Sequence, residues 1–519
     1  MNIGLHLKRG AMWYPDRIAL ADKNARLTYV DVYRRVNRLS NALLGLGLEK
    51  GDRVAMLSKN RYQLVEALFA GPSAGLVNVP LNARLSVSEL VHMLNNSEAS
   101  ALILGPEFVK DIAEARPCIE TVEHFIAISD APADMLDYED LLARASETDP
   151  PAQAGLDDLA TLNYTSGTSG VLKAAMLSHR ARLCMGRKFL VVPDSDIDRD
   201  TVMCHVGPVT HASGGMIQPT WWRGGCNLIL EGFDLELLFR TIEQERVTHL
   251  FAVPTMINFM MAWPERTKYD ISSIRTIVYG ASPMPVERIK EALDIFGPVL
   301  IQGYGQTETA SGFTFLNKED HLFEGDPLRT KRLASAGRPS TEVDVQIVDE
   351  EGRELGVGEI GEIIERGDDS MMGYWKDPDL TAETLRNGWV FTRDMGYMDE
   401  GGYIFIVDRK SDMIISGGFN IYPTEVENAL YQHPAVFDAA VIAVPDDQWG
   451  EAVKAVVVLR PDVTATEAEI IEHCKNNLAS FKKPKSVDFV RELPRNPYGK
   501  LLRRLLKEPY WQDKDRRVH

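Results

Sequence analysis

Four aliphatic hydroxyls, two glycines and one lysine fall within ten residues in the stretch YTSGTSGVLK, Tyr164 to Lys173. Thr165, Ser166, Thr168 and Ser169 offer hydroxyl donors, Gly167 and Gly170 let the backbone turn and aim N–H groups at one oxygen cluster, and Lys173 adds a point charge. Together they read as a cradle for phosphate. LATLN before the stretch alternates as a strand does, and AMLSHRARLCMGRKF after it has a helical composition, so a strand, loop and helix order is expected. The Walker spacing fails, because Val171 and Leu172 separate Gly170 from Lys173. A solvated Gly/Ser/Thr loop is the alternative at this point.

Further segments carry chemistry of the same kind. QGYGQTE, Gln302 to Glu308, follows the apolar run VLI; its glycines permit close ligand approach, Tyr304 could stack on a base, Thr307 could donate to phosphate and Glu308 could hold Mg²⁺. Asp394 in FTRDMGY is a short carboxylate suited to vicinal hydroxyls, and Arg409 in DRKSD could bridge a nucleotide and a linker. Gly417 and Gly418 in ISGGFNIYP precede a helix start, and Lys500 in PRNPYGK lies between Pro497/Gly499 and a basic tail. Each segment alone is compatible with an ordinary turn or a solvated charge.

The elements that must position these residues alternate. From Arg17 to about Leu156, short β-like runs (IALADK, DRVAMLS, ALILG, HFIAIS) are interleaved with helical patterns, and the rhythm continues through CNLILEG, THLFAVP and TIVYGAS. This predicts βαβ units in one large α/β body. After about Ala334, VDVQIVDEEG, GEIGEIIERG and GYIFIVDRK predict an antiparallel β subregion, and residues from Pro423 to about Leu506 a compact α+β unit. The boundary is expected near Arg409 to Asp412, giving domains 1–409 and 410–519. Gly356, Gly358 and Gly361 spell GxGxxG, but a strand follows, so a turn is expected rather than a dinucleotide site.

With 519 residues, 45% of them hydrophobic, the chain can bury a large core, and its net charge of -18 disfavours nonspecific nucleic-acid or anionic-lipid binding. The five cysteines are scattered without a CxxC pair, which argues against a zinc site or disulfide framework and for a reducing, cytoplasmic setting. No apolar run has the length of a signal peptide core or a membrane span. A homodimer is a base-rate expectation.

The segments YTSGTSGVLK, QGYGQTE, FTRDMGY, DRKSDMIISGGFNIYP and PRNPYGK, in this order and spacing, resemble the acyl-adenylate-forming superfamily, with acyl-CoA synthetases as the best match. The resemblance covers essentially the whole chain. It implies a large N-terminal domain and a mobile C-terminal lid that rotates about a hinge at Ser411. It implies that Thr165 to Lys173 forms the ATP phosphate loop, that Thr307 and Glu308 serve phosphate and Mg²⁺, and that Asp394 and Arg409 hold the ribose. Ala281 and Ser282, with Gln302, Gly303 and Tyr304, would frame adenine. His211 would gate the carboxylate, Lys500 would bridge the attacking acid and the phosphate, and Gly417 and Gly418 would approach CoA. Departures from the usual pattern are Leu172 and Ala174 beside the loop lysine, Arg393 for a glycine, Tyr498 for a threonine and Ser411 itself.

The implied reaction is ATP-dependent: a carboxylic acid becomes acyl-AMP with release of pyrophosphate, and the acyl group then passes to CoA. An adenylating enzyme with another acceptor, amino-acid-activating or carrier-protein-loading, and a non-catalytic nucleotide-binding homologue are the alternatives. His211, Ser213, Gly214, Ala281, Gly303 and Gly305 are the candidate acyl pocket, and with Trp221 and Trp222 near them they suggest a medium-length fatty, alicyclic or aromatic acid.

Overall fold

The computed structural model describes residues 2–151, 154–166, 172–323, 325–409, 412–417, 419–446, 448–495 and 501–511. Alternation of strands and helices yields a mixed α/β architecture with a large N-terminal and a smaller C-terminal domain. The large N-terminal α/β part holds two large sheets. In one, Val77–Pro80, Arg53–Leu57, Ala99–Leu104 and His124–Ala127 form a parallel centre, and the strands Leu159–Ser166 and Leu172–Ser178 extend it. In the other, Val202–His205, His249–Ala252, Thr276–Gly280 and Leu300–Gln306 run parallel side by side. Ile18–Ala21, which reads as part of the first βαβ series, instead pairs with Cys226–Ile229 of the second sheet.

Local sequence explains the helices that cover these sheets. Tyr29–Gly45 begins at Thr28, whose side chain accepts from the Asp31 N–H while the Asp31 carboxylate accepts from the Thr28 N–H. Its buried Val32, Val36, Leu39 and Leu43 recur at helical spacing and bury one stripe against the core.

The antiparallel subregion forms from Val343–Val348, Gly361–Gly367, Trp389–Met398 and Ile404–Arg409. Gly358 lies in a turn at φ 82°, and Gly361 opens a strand, as expected from the failed dinucleotide pattern. Beyond Arg409 a separate sheet centres on the antiparallel pair Val436–Asp446 and Gly450–Leu459, with its own core. Arg288 of the N-terminal part donates to the Phe437 carbonyl across the interface, at 3.2 Å. No helix among the described residues is long and apolar enough to cross a membrane.

Six histidines, His6, His179, His205, His211, His249 and His321, sit where burial pushes their pKa down from 6.5 to about 4. The folded value lies below the unfolded one, so the unfolded chain takes up more protons between these limits. The stabilisation from keeping these rings neutral is present above pH 6.5 and is lost as pH falls toward 4. The melting temperature is therefore expected to fall steeply between pH 6.5 and 4.5 in a calorimetric series, and a flat profile across that window would contradict the burial of neutral imidazoles.

Candidate active site

The two described ends of the phosphate-cradle stretch, through Ser166 and from Leu172, lie on paired strands. Leu159–Ser166 pairs antiparallel with Leu172–Ser178, with Thr165 opposite Lys173, and the helix starts only at His179. The order strand, loop, helix is thereby corrected: Ala174 to Ser178 are drawn into the sheet by pairing on both sides, with Gly373–Tyr374 flanking them. Tertiary pairing overrides the helical propensity of an Ala- and Met-containing segment.

Hairpin register aims Lys173 at a cluster. Its ammonium lies 3.1 Å from Glu308 Oε1 and donates to the Tyr374 hydroxyl, which itself donates to Glu308 Oε1 at 2.5 Å. The Tyr374 ring also lies 4.2 Å beneath Lys173 Nζ. Glu308 is only 7% exposed. Burial pushes its carboxyl up, but Lys173 and the Tyr374 hydroxyl outweigh that and hold it below the ordinary value. Burial and then the neighbouring Glu308 raise the Tyr374 phenol, so it stays a donor. Thr307 opens the short turn Thr307–Thr309 that carries Glu308.

A second cluster surrounds Asp394, on Trp389–Met398. Tyr304 Oη and Gln306 Nε2 each donate to its Oδ2 at 2.8 Å, and Arg409 Nε lies 3.3 Å from its Oδ1. Asp394 and Arg409 are direct partners on antiparallel strands, so backbone pairing fixes their approach. Tyr304 places its ring edge on Phe313, with centroids 4.9 Å apart, and its hydroxyl on Asp394. It therefore buttresses the carboxylate. Arg393, standing where the resembled pattern has glycine, adopts φ 62°, a left-handed conformation that glycine takes without strain.

Both clusters border one cavity of about 1470 Å³. Its lining includes Thr165, Lys173, His211, Ser213, Ala281, Gly303, Gly305, Thr307, Glu308 and Arg409. Gly280, at the end of Thr276–Gly280, pairs with Gly303 within Leu300–Gln306, and a Cβ on Gly280 would lie 2.3 Å from the Gly303 carbonyl oxygen, so only glycine fits that approach. Ala281 next to it holds φ 67°, strain of the kind that clusters at ligand sites. The His211 ring, kept neutral at ordinary pH by burial, has Nδ1 2.8 Å from Thr210 Oγ1. Ser213 Oγ is 3.0 Å from His205 Nδ1.

Not every expected residue reaches the cavity. Ser282, Gln302, Tyr304, Asp394 and Gly214 are absent from its lining; the Gln302 side chain turns back to accept from Tyr279 Oη at 3.1 Å. Trp221 donates to the Ala19 carbonyl at 2.7 Å, and Trp222 packs beside His6 with centroids 4.6 Å apart. Neither tryptophan borders the cavity, which corrects their expected place beside the acyl group; the apolar wall comes from Phe189, Phe251, Phe259, Met185 and Met256 instead. Gly417 turns at φ 59° beneath the Trp449 ring, away from the cavity lining. Gly167, Thr168, Ser169, Gly170, Ser411, Gly418 and Lys500, with the side chain of Ser166, lie outside the described residues.

Two residues of the clusters escaped sequence reasoning. Gln306 was visible within QGYGQTE but carried no assigned contact, and Tyr374 of MMGYWKDP offers only an aromatic between turns. Among the described residues no group of three metal-ligating side chains occurs. Glu308, a charged carboxylate at the cavity wall beside a phosphate-cradle candidate, still suits Mg²⁺, which is commonly held by one or two carboxylates together with substrate phosphates.

Residues 7–375 match the family model for AMP-binding enzyme, and residues 425–500 match the AMP-binding enzyme C-terminal domain. Feruloyl-CoA synthase of Amycolatopsis is 40% identical over 95% of this chain and 96% of its own length. A medium/long-chain fatty-acid-CoA ligase of Mycobacterium tuberculosis is 34% identical over 99% of this chain and 91% of its own. Among solved structures, an anthranilate CoA ligase in complex with anthranoyl-AMP superposes with a TM-score of 0.89 at 27% identity, covering 98% of this chain and 97% of that one. With two charged clusters around one large cavity and relatives matched from end to end, the chain belongs to the AMP-binding enzyme family, in its acyl-CoA ligase branch.

Proposed function

We propose that this chain condenses an apolar carboxylic acid, aromatic or of medium length, with ATP and then with CoA, and that the residues named above divide that work. The observation that carries the reading is the shared cavity. At about 1470 Å³ it exceeds the usual volume of a single-ligand pocket, roughly 300–1,000 Å³, and has a charged half at Lys173, Glu308 and Arg409 and an apolar half at Phe189, Phe251 and Phe259. A nucleotide and an acid can occupy it together.

A carboxylate resists attack because its oxygen leaves badly and its charge repels nucleophiles. In the proposed first step the carboxylate oxygen attacks the α-phosphorus of ATP and pyrophosphate departs. Lys173 with the hairpin hydroxyls takes the phosphate oxygens, and Lys500 spans the attacking oxygen and the α-phosphate, offsetting charge that grows in the transition state. Glu308 would hold Mg²⁺, whose contribution is to neutralise phosphate charge. His211, uncharged at neutral pH, orients the acid without adding charge. In the second step the CoA thiolate attacks the acyl carbon and AMP leaves. Support for a lid bearing Lys500 comes from Leu493 to Arg495 on the cavity wall and from the isolated bridge between Arg495 and Leu501. Residues 1–409 and 410–519 are the two proposed moving bodies, with Ser411 as hinge and Gly417 and Gly418 as the face offered to CoA.

Asp394 and Arg409 are proposed to hold the ribose. Asp394→Ala is expected to raise the KM for ATP about 10- to 100-fold, the value of one or two hydrogen bonds to a charged group, with less effect on the KM for the acid. An unchanged ATP dependence would contradict the ribose role. The acid class is tested by measuring thioester formation over a panel of aromatic and straight-chain acids. A narrow set of aromatic or medium-length acids is expected; confinement of activity to amino acids or very long chains, added to the panel, would overturn the assignment.

A further inference from the structure

Arg182 lies in the first turn of the helix His179–Val191, one face of which, Arg182, Met185 and Phe189, borders the cavity. Among the described residues no carboxylate stands within ion-pair distance of it, its Nε is buried without a partner, and its Nη1 has only Met185 Sδ at 3.6 Å. Burial accordingly lowers its pKa from 12.5 to about 10, which leaves it charged at neutral pH. A partly buried cation without a counter-charge is costly, and a cavity wall is where a ligand can supply what the protein withholds.

Its depth separates it from the phosphate end. The seven-residue strand Leu172–Ser178 runs from beside Lys173 to the helix start, a span of about 20 Å. Toward the other end of the same helix, Lys188 reaches the carbonyl of Thr309, next to Glu308, at 3.3 Å; six residues, or about 9 Å of helix, lie between the levels of Arg182 and Lys188. The cavity is polar along this descent: Thr165, Asn163 and Thr161 share one face of their strand and all line it, and Asn163 Oδ1 is buried without a partner.

We propose that Arg182 is a specificity residue: it receives an oxygen group, anionic or strongly accepting, carried by the acid at the end remote from its reacting carboxylate. The inference rests on the ligase reading and sharpens its substrate class from apolar acids in general to acids with a polar far end. A guanidinium fork pairs with a second carboxylate in two parallel hydrogen bonds, and it also donates to a phenolic or ether oxygen. An acid without such a group leaves the cation unpaired in the complex, which is how a polar site rejects an apolar analogue.

The test uses matched acids with the full-length enzyme: 3-phenylpropenoic acid against its 4-hydroxy, 4-methoxy and 4-carboxy derivatives, and hexanoic against hexanedioic acid. Wild-type kcat/KM is expected to favour at least one oxygenated member over its parent by on the order of 10²-fold; a carboxylate preference identifies an anion receptor, and a hydroxy or methoxy preference a neutral acceptor. Arg182→Met is expected to bring that ratio to about one or below, and Arg182→Lys to keep it for the carboxylate. The melting temperature of Arg182→Met should hold or rise, since an unpaired, partly buried charge is removed. Wild-type turnover of parent and oxygenated acids without preference would overturn the inference and leave the ligase reading intact. Equal loss on every acid with a lowered melting temperature would show a structural role and overturn it as well.

Discussion

Replacing Lys500 by alanine is expected to slow acyl-AMP formation by about 10²- to 10³-fold or more, while thioester formation from supplied acyl-AMP and CoA stays within a few-fold of wild type. The asymmetry follows from the two steps. In the first, a carboxylate approaches a polyanion, and a cation that touches both attacking oxygen and α-phosphate acts only as their charges converge. In the second, the electrophile is an uncharged acyl carbon and AMP is the leaving group, so that cation has no converging charges to bridge. Single-turnover quenching with and without added acyl-AMP separates the steps. Equal loss in both would remove Lys500 from the proposed role.

Glu308→Gln is expected to lower acyl-AMP formation about 10²- to 10³-fold and to destabilise the protein by roughly 1–3 kcal/mol. The stability loss arises because Lys173, 3.1 Å from the carboxylate, loses its counter-charge in a largely buried site. Its sign with pH is fixed by the direction of the Glu308 shift: the folded carboxyl lies below its ordinary value of 4.5. The stabilisation is therefore fully present above about pH 4.5 and is lost as pH falls through the folded value. Wild type and variant should converge in melting temperature at strongly acidic pH and differ at pH 7. A variant as stable and as active as wild type at pH 7 would contradict both the ion pair and the catalytic role.

Residue types and spacing revealed the chemistry better than they revealed its scaffolding. The alternation of β-like and helical runs led to parallel α/β layers, and Lys173, Glu308, Thr307, His211 and Arg409 do face one cavity. Spatial partnership was less legible. Nothing local to Ile18–Ala21 tells which of two sheets a strand will join, since that depends on Cys226–Ile229 some two hundred residues away. Leu172–Ser178 carries helix-compatible residues, yet edge pairing with Gly373–Tyr374 and the hairpin partner makes it a strand. Tyr374 joins Lys173 and Glu308 only because that same edge brings it there, and no signal in MMGYWKDP announces the meeting. Trp221 and Trp222 follow the Gly-rich turn closely in sequence, but the helix Ile217–Trp222 turns them toward Ala19 and His6.

The most direct measurement follows one oxygen atom. A substrate acid labelled with ¹⁸O in its carboxylate is incubated with the enzyme, Mg-ATP and CoA, and the nucleotide product is weighed by mass spectrometry. Attack of the carboxylate on the α-phosphorus predicts AMP carrying one ¹⁸O for each thioester formed, because the oxygen that bridged acyl group and phosphate leaves with AMP. Label found in inorganic phosphate beside ADP, or thioester formed with unlabelled AMP, would contradict activation through an acyl-AMP.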